Sequence, residues 1–411
     1  MTSDGVTPRD RQARFAAYAA FGVQGLCFAT LVTQVPQIQK SHHLSDAVLS
    51  LVLLMVPLVA GVGSVLSEFL FRRVGSGLVL RVAQPLECLM ILLVGCTGDN
   101  DLALYVAVAL FGLLVGAVDA SMNAQAVAVE RRYGVSLITG FYAVWSMAGI
   151  AGGLWAALSN RLDLALPAGF GIVTAVGLAV ALVTGRRLMT KAEEAAGQPS
   201  PQELKAAGQR VPWRPILLVG AAMAAFYLAD AALSSYGAKY LDDELGGSAA
   251  VAPLGYVFYQ VAMVVSRVGA DLLVRRRGAV WVVRVGGLVG LAGMAAVVAA
   301  PNVLVAIPAF ALVGLGLSVV APVSYTAASR VDPTGLGVAV ARVNIFNYVG
   351  FVLGAAVVGA IAPLDDRHGL RIAFVVPTVL VLVILAVARS FDPAPAPGAR
   401  PGAPVAERPT V

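Results

Sequence analysis

The sequence has little charge. Of its 411 residues, 13% are Asp, Glu, Lys or Arg, whereas 59% are hydrophobic, and the mean hydropathy is +0.83. Soluble proteins carry about 25% charged residues, because a surface that faces water needs them. The shortage excludes a soluble enzyme, a nucleic-acid-binding protein and a disordered scaffold. It predicts a polytopic membrane protein that has no nucleic-acid partner.

Cysteine and histidine are also scarce, with three residues of each. The cysteines all fall in apolar runs, so they predict no disulfide framework, and the histidines have no spacing that would hold a metal. The chain contains no Gly-x-x-x-x-Gly-Lys-Ser/Thr motif for ATP phosphates and no catalytic pair of side chains. These absences predict a protein that is not an enzyme, uses no cofactor or metal, and is not driven directly by ATP.

Long uncharged runs make up most of the sequence. The run 285–329 alone has 45 residues without a charge, which is enough for two membrane spans. A spanning helix needs about 20 apolar residues, whereas a transmembrane β-barrel would show short alternating segments. We therefore predict an all-α membrane protein with twelve transmembrane helices. They are expected at 14–36, 46–71, 78–98, 101–127, 136–160, 166–188, 213–241, 250–274, 279–300, 303–329, 334–362 and 370–390.

Two polar segments divide the chain. Residues 189–212 are rich in Ala, Glu, Gln and Pro, which is typical of a soluble linker. They separate six predicted helices in 1–188 from six in 213–391. The tail, 392–411, is rich in Pro and Ala and is predicted to be disordered and cytoplasmic.

The basic residues indicate an orientation. With the N-terminus inside, 22 of the 29 Lys and Arg residues belong to inner segments, five lie outside, and two fall within spans. Inner loops of membrane proteins carry the excess of positive charge. The distribution therefore predicts that the linker and both termini are cytoplasmic.

One short segment occurs twice. Residues 68–82 (EFLFRRVGSGLVLRV) and 271–285 (DLLVRRRGAVWVVRV) lie 203 residues apart and share seven of 15 positions. One copy follows the second span and the other follows the eighth, so the repeating unit is six spans. Such a repeat predicts two pseudo-symmetric halves with a substrate cavity between them. The predicted gate residues in the two copies are Glu68, Arg72, Arg73, Asp271, Arg275 and Arg276.

The repeated loop resembles the signature of the major facilitator superfamily, between helices 2 and 3 and between helices 8 and 9. The resemblance covers essentially the whole chain and implies a transporter of twelve helices in two halves. Where the family pattern has Asp-Arg-x-Gly, this chain has Arg72-Arg73-Val74-Gly75. The family's gating salt bridge therefore lacks its usual acid here, and Glu68 is the nearest one.

A narrower likeness is to the YbjJ-like group, which is related to fucose permease. The residues that carry it are 119–132, 141–149 (FYAVWSMAG), 267–271 and 341–354. Relatives often have His where this chain has Tyr142, and an acidic residue with Trp where it has Ser235 and Tyr236. Because both differences fall where a cavity wall is expected, the substrate of that group does not carry over to this chain.

Five ionisable residues are predicted at bilayer depth, where a charge costs roughly 2.5–3.5 kcal/mol to insert. Asp119, Asp230 and Glu87 are the predicted proton-coupling residues, because a buried carboxyl group can hold and release a proton as solvent access alternates. Arg267 and Arg342 are the predicted counter-charges or gates. For each of the five, a structural ion pair or a helix-packing contact is the alternative interpretation.

The eighth span has the most regular polar pattern. Tyr256, Gln260, Met263, Arg267 and Asp271 follow helical spacing and form one stripe, which is expected to face protein or water. Arg267 and Asp271 lie four residues apart, so mutual neutralisation is an alternative to a role in gating.

Aromatic and amide side chains in several spans complete the predicted cavity. Together they can stack on and hydrogen-bond a polar ring compound, although each one singly is more often a helix-packing contact. The predicted cavity residues are Gln24, Phe28, Asn123, Tyr142, Trp145, Tyr227, Tyr256, Gln260, Tyr325, Asn344, Asn347 and Tyr348.

These features predict a secondary transporter of a small organic molecule in the bacterial cytoplasmic membrane. It is expected to work by alternating access, as a monomer surrounded by the lipid bilayer. The favoured interpretation is efflux of a metabolite or antibiotic, with protons as coupling ion and the proton gradient as energy source. Proton-symport uptake of a sugar-like solute is the alternative, and a membrane receptor or scaffold without transport is a more remote one.

Overall fold

The structure is a computed structural model that describes residues 6–135, 137–196, 198, 200–365 and 367–391, and the predicted tail lies outside these. Every regular element in the described residues is helical. The α-helices are α1 Pro8–Thr33, α2 Val35–Ser41, α3 Asp46–Val74, α4 Ser76–Gly95, α5 Asp101–Tyr133, α6 Ile138–Arg161, α7 Leu166–Gly185, α8 Lys191–Ala195, α9 Pro201–Arg210, α10 Trp213–Lys239, α11 Leu254–Arg277, α12 Ala279–Ala299, α13 Val303–Leu317, α14 Val320–Arg330, α15 Val338–Ile361 and α16 Gly369–Val387. A π-helical turn, Tyr240–Glu244, extends α10, and 3₁₀ turns at Ala362–Leu364 and Ala388–Phe391 follow α15 and α16.

Twelve helical segments correspond to the predicted spans. Eleven of them, with α13 and α14 counted as one, are long and apolar enough to cross a membrane. The twelfth is α11, in which the apolar part Leu254–Ala270 is followed by the basic end 275–277. The prediction of an all-α fold with twelve spans is therefore confirmed, with helix ends that differ by a few residues.

Pro322 interrupts the tenth span. The sequence predicted one helix over 303–329, but α13 ends at Leu317 and α14 begins at Val320. Proline has no N–H group, and its ring collides with the carbonyl of the residue four positions earlier, which is Ser318 here. The helix is therefore broken by a turn at 318–319.

The two copies of the repeated segment have the same backbone conformation. α3 ends at Gly75, with φ 84° and ψ 155°, and α11 ends at Gly278, with φ 83° and ψ 158°. This region of positive φ is open to glycine and strained for other residues. A glycine at each position lets one spanning helix end and the next begin one residue later.

The buried apolar side chains fall on either side of the linker. One cluster draws its buried residues from 211–391, and two others draw theirs from 13–189. We refer to residues 6–188 and 213–391 as the N-terminal and C-terminal halves. Between the halves, α3 packs on α15 and α6 packs on α11.

The ends of the spans define two faces of the molecule. The linker face carries the start of α1, the linker with α8 and α9, and the junctions α3–α4, α5–α6, α11–α12 and α14–α15. The opposite face carries α2 and the π-helical turn with the loops beside them. Since the number of spans is even, the first and last described residues both lie at the linker face.

Candidate functional site

A polar network joins the two halves at Asp119. The hydroxyl of Tyr348 on α15 donates to Asp119 Oδ2 on α5 at 2.9 Å. One turn further along α5, Asn123 Nδ2 donates to Asp119 Oδ1 at 3.3 Å, and the Tyr142 hydroxyl donates to Asn123 Oδ1 at 3.0 Å. The sequence places Asp119 and Asn123 on one helical face, four residues apart, and the structure adds Tyr142 and Tyr348 to them.

Asp230 lies in a second polar pair, within the C-terminal half. The Tyr259 hydroxyl on α11 donates to Asp230 Oδ1 on α10 at 2.5 Å. Tyr259 is buried and was not among the predicted site residues. Tyr259 lies three residues after Tyr256, which is also helical spacing. The predicted stripe used Gln260, four residues after Tyr256, and therefore missed Tyr259.

Arg267 contacts the other half of the molecule. Its Nη1 donates to the Ser146 hydroxyl on α6 at 3.2 Å, and Ser146 is fully buried. The side chain of Asp271 lies outside the described part of the structure, so its pairing with Arg267 stays a prediction.

The part of the α11 stripe nearer the opposite face is buried at the contact between the halves. Gln260 Nε2 donates to the Tyr256 hydroxyl at 2.8 Å, and both side chains are 2% exposed. The other amide atom, Gln260 Oε1, is buried and accepts no hydrogen bond from the described residues. An unpaired buried acceptor is costly, so this oxygen is available to a donor that is not part of the protein.

Aromatic side chains from both halves pack near Tyr256. The ring of Phe28 lies 5.9 Å from that of Trp145 and 6.2 Å from that of Phe351 on α15. Phe28 and Tyr256 belong to one buried cluster, with Trp145 and Phe351 against it. Phe351 was not predicted, because only the approach of α15 brings it here.

Two further predicted groups lie within the halves. Tyr325 donates to Asn344 Oδ1 at 2.8 Å, and Asn347 Nδ2 lies 3.5 Å from the same oxygen. Tyr227 packs against the buried cluster of the C-terminal half. In the N-terminal half, Glu87 is fully buried on α4. With its amide turned so that both groups are satisfied, Gln24 on α1 donates to Glu87 Oε1 at 3.1 Å.

Arg342 lies elsewhere than the sequence suggested. Because α15 begins at Val338, Arg342 is in its second turn at the linker face and not deep in a span. Its guanidinium donates to the carbonyls of Gly208 at 2.7 Å and Val211 at 3.0 Å, and it stacks on the Trp213 ring at 4.3 Å. Arg342 therefore ties the linker to the C-terminal half, and the expected position opposite a membrane carboxylate is corrected.

The linker covers the repeated loop of the N-terminal half. The carboxylate of Glu194 accepts hydrogen bonds from the N–H groups of Ser76 and Gly77, at 3.0 Å each, and from Gln125 Nε2 at 2.7 Å. We call residues 188–195 the strap. Its buried Glu194 supplies the acid at this loop, whereas Glu68 is exposed.

Two further contacts hold the strap. Lys191 Nζ donates to the carbonyl of Arg72 at 2.8 Å, while Arg72 and Arg73 are exposed and the Arg73 guanidinium stacks on the Phe69 ring at 4.8 Å. Arg9 forms a two-point ion pair with Glu193, with distances of 2.8 and 2.9 Å. These hydrogen bonds from Arg9 stabilise the carboxylate and lower the pKa of Glu193 to about 2. The capping box Thr190-x-x-Glu193 was the sequence signal for this short helix.

The opposite face is closed by charged contacts between the halves. Lys239 at the end of α10 is buried; it lies 2.9 Å from Asp46 and donates to Gln39 at 2.7 Å, and it also bonds Asp243. Lys40 pairs with Asp242 at 2.5 Å. We call this group the opposite-face cluster. The sequence analysis used Lys40 and Lys239 for topology alone and assigned no role to the others.

Glycines let α6 approach α11 beside the opposite-face cluster. A Cβ atom on Gly153 would lie 2.7 Å from Val257, and one on Gly149 would lie 3.1 Å from the Tyr256 hydroxyl. At the linker face, by contrast, no hydrogen bond or ion pair of the described residues joins the two halves directly. Among the described residues, the polar contacts between the halves therefore lie between the opposite face and mid-depth.

Comparisons with known proteins agree with this fold. The sequence matches the model of the Major Facilitator Superfamily over residues 15–355 and 221–411. An uncharacterised MFS-type transporter of Yersinia pestis is 28% identical over 371 residues, which are 90% of this chain and 94% of that protein. Among solved structures, a bacterial homologue of the human lysosomal transporter Spinster, inward-facing and unoccupied, superposes with a TM-score of 0.70 at 15% identity over 94% of this chain and 98% of that one. The nucleoside transporter NupG superposes with a TM-score of 0.68 at 12% identity over 94% and 98%.

The chain belongs to the major facilitator superfamily. It is a multi-pass membrane protein and a secondary transporter, with a small-molecule substrate and a lipid environment. The two structural likenesses are below 25% identity and show the fold alone.

Proposed function

We propose that the protein exports a small organic molecule from the bacterial cytoplasm in exchange for protons, as a monomer, with its linker face in the cytoplasm. The distribution of basic residues supports this orientation. The hydrogen bond between Tyr348 and Asp119 carries the proposal, because it places an ionisable carboxyl group at the contact between the halves.

Protonation of Asp119 would change that contact. A hydrogen bond to an ionised acceptor is roughly twice as strong as one between neutral groups. When Asp119 takes up a proton, its bond from Tyr348 weakens, and the two halves are held together less firmly at mid-depth. Uptake and release of this proton can thereby shift the balance between the two states of an alternating-access cycle.

The cavity groups favour an aromatic or cationic substrate. Rings of Phe28, Trp145 and Tyr256 offer stacking surfaces, and the carboxylates of Asp119 and Asp230 offer negative charge. The unpaired Gln260 Oε1 would accept a hydrogen bond from an N–H or O–H of the substrate.

The test measures proton-driven export of ethidium, a fluorescent aromatic cation, from vesicles that contain the protein. Asp119→Asn and Asp230→Asn should each lower proton-driven export at least 10-fold, because an amide cannot carry the proton. Glu203→Gln, on the exposed part of α9, is the matched control and should transport normally. Proton-driven export that persists in both Asp variants would overturn the coupling mechanism.

Proton-symport uptake of a sugar-like solute is the second candidate. The group formed by Tyr325, Asn344 and Asn347 favours it, since amides and hydroxyls bind sugar hydroxyl groups. NupG is named as a nucleoside transporter, and nucleosides contain a sugar ring. Accumulation of uridine in energised cells without ethidium export would favour this candidate.

A further inference from the structure

A basic cleft lies at the linker face of the C-terminal half. It has a volume of about 590 Å³ and is lined by the backbone around Gly278 and by four arginines. The arginines are Arg277, Arg284, Arg330 and Arg389. All four side chains are exposed, and none of the lining residues is acidic.

The same place in the N-terminal half is occupied by a carboxylate. The repeat aligns Ser76 and Gly77 with Ala279 and Val280, which line the cleft. Glu194 accepts from the first pair of N–H groups, whereas no side chain caps the start of α12. Among the described residues, the four cleft arginines form no ion pair.

A mainly apolar pocket of about 260 Å³ adjoins the cleft and shares Val274, Ala279 and Arg330 with it. Its other walls are Ala270, Pro322, Val323, Ala327 and Phe391, together with the polar residues Arg275 and Thr326. A ligand that fills both spaces has an anionic head and an apolar chain. Inorganic phosphate or a soluble metabolite would leave the apolar pocket empty.

The residues around the cleft are typical of a membrane interface. Trp281, with Arg277 stacked on it at 5.4 Å, is 38% exposed at the first turn of α12, and Trp is enriched at membrane interfaces. Leu272 and Leu273 on α11 expose further apolar surface. Basic pockets between membrane helices bind anionic headgroups, and the fork of arginine matches phosphate geometry.

We propose that this cleft binds the phosphate headgroup of an anionic phospholipid, with one acyl chain in the adjoining apolar pocket. Arg330 is assigned a main contact because it lines both spaces, and Arg284 on α12 is the second, because Arg277 is stacked on Trp281. If the cleft arginines served membrane topology alone, replacing them would have the same effect on lipid binding as replacing the equivalent arginines of the N-terminal half.

The experiment titrates phosphatidylglycerol into phosphatidylcholine nanodiscs that hold the full chain, and it follows the rise in melting temperature. The double variant Arg284→Gln/Arg330→Gln should need roughly 30-fold more phosphatidylglycerol for half of the rise in melting temperature, because each arginine contributes a factor of about 5. The matched control is Arg81→Gln/Arg186→Gln, in which Arg81 is the repeat equivalent of Arg284. It should behave as the unaltered protein does.

Three results would overturn the proposal. One is an equal loss in both double variants, which would indicate general surface attraction. Another is an equal stabilisation by soluble glycerol phosphate, which would assign the cleft to a free phosphate ligand. The third is phosphatidylglycerol binding that begins only after removal of residues 392–411, which would make the tail the occupant.

Should the double variant fail to fold, the single variants give the same comparison, with about 5-fold more phosphatidylglycerol needed in each. Since no step measures transport, the outcome is independent of the proposed export.

Discussion

The two copies of the repeated loop have the same backbone but different surroundings. Gly75 and Gly278 differ by 1° in φ and 3° in ψ. The first copy is covered by the strap, and Glu194 accepts hydrogen bonds from its backbone N–H groups, whereas the second is an open basic cleft. The comparison teaches that the repeat conserves helix geometry, while the surroundings of each loop depend on side chains that the repeat does not share.

Single residues account for the difference. A Cβ atom on Gly77 would lie 2.2 Å from the carbonyl oxygen of Met189, so the strap can pass only because this residue is glycine. The second copy has Val280 at the equivalent position, which would block such a strap. Ser76 accepts a hydrogen bond from Gln125, whereas its equivalent Ala279 cannot.

Replacement of Gly77 by the residue of the other copy should have the largest effect. Gly77→Val would push the Met189 carbonyl away and detach the strap, which should lower the free energy of unfolding by roughly 3 kcal/mol. Thermal melts and tryptic cleavage after Lys191 measure it. Val280→Gly is the control and should change stability by less than about 1 kcal/mol. An equal fall in the free energy of unfolding in the two variants would show that the contact between Gly77 and the strap contributes nothing to stability.

Loss of the strap carboxylate should have an intermediate effect. Glu194→Ala leaves the N–H groups of Ser76 and Gly77 without an acceptor, which should cost about 2 kcal/mol. The same melts check this value, with Glu203→Ala in the exposed part of the linker as control. A loss no greater than that of the control would mean that water replaces Glu194 freely.

The strap also marks the limit of prediction from sequence. The twelve spans and the repeat were predictable because hydropathy and spacing are local properties. Asn123 and Asp119 were predictable as neighbours because they are four residues apart on one helix. Glu194, Tyr259 and Phe351 act through partners that are distant in the sequence, so only the packing of the helices and the linker reveals them.

The placement of Arg342 failed for a related reason. A charged residue eight positions into a predicted span was expected to be at bilayer depth, but the helix begins later than the apolar pattern does. Its true partners are backbone carbonyls of the linker, which carry no sequence signal.

Replacement of Arg9, which pairs with Glu193 of the strap, should have the smallest effect on stability. It tests whether the strap changes with pH. The pKa of Glu193 is lowered to about 2 by its hydrogen bonds with Arg9, so this carboxylate contributes stability above the usual pKa near 4.5 and loses it as the pH falls toward 2. In Arg9→Gln the pKa of Glu193 should rise toward 4.5, and the free energy of unfolding at neutral pH should fall by less than about 1 kcal/mol, because the pair is partly exposed.

A nitroxide label at Ala195→Cys would report the mobility of the strap as the pH is lowered. The midpoint of the change in mobility should lie below pH 3 in the protein with Arg9 and near pH 4.5 in the variant. A midpoint between pH 5 and 7 with Arg9 in place would make the strap a proton-sensitive element. The expected low midpoint instead leaves proton coupling to the carboxylates within the membrane, where the two halves meet.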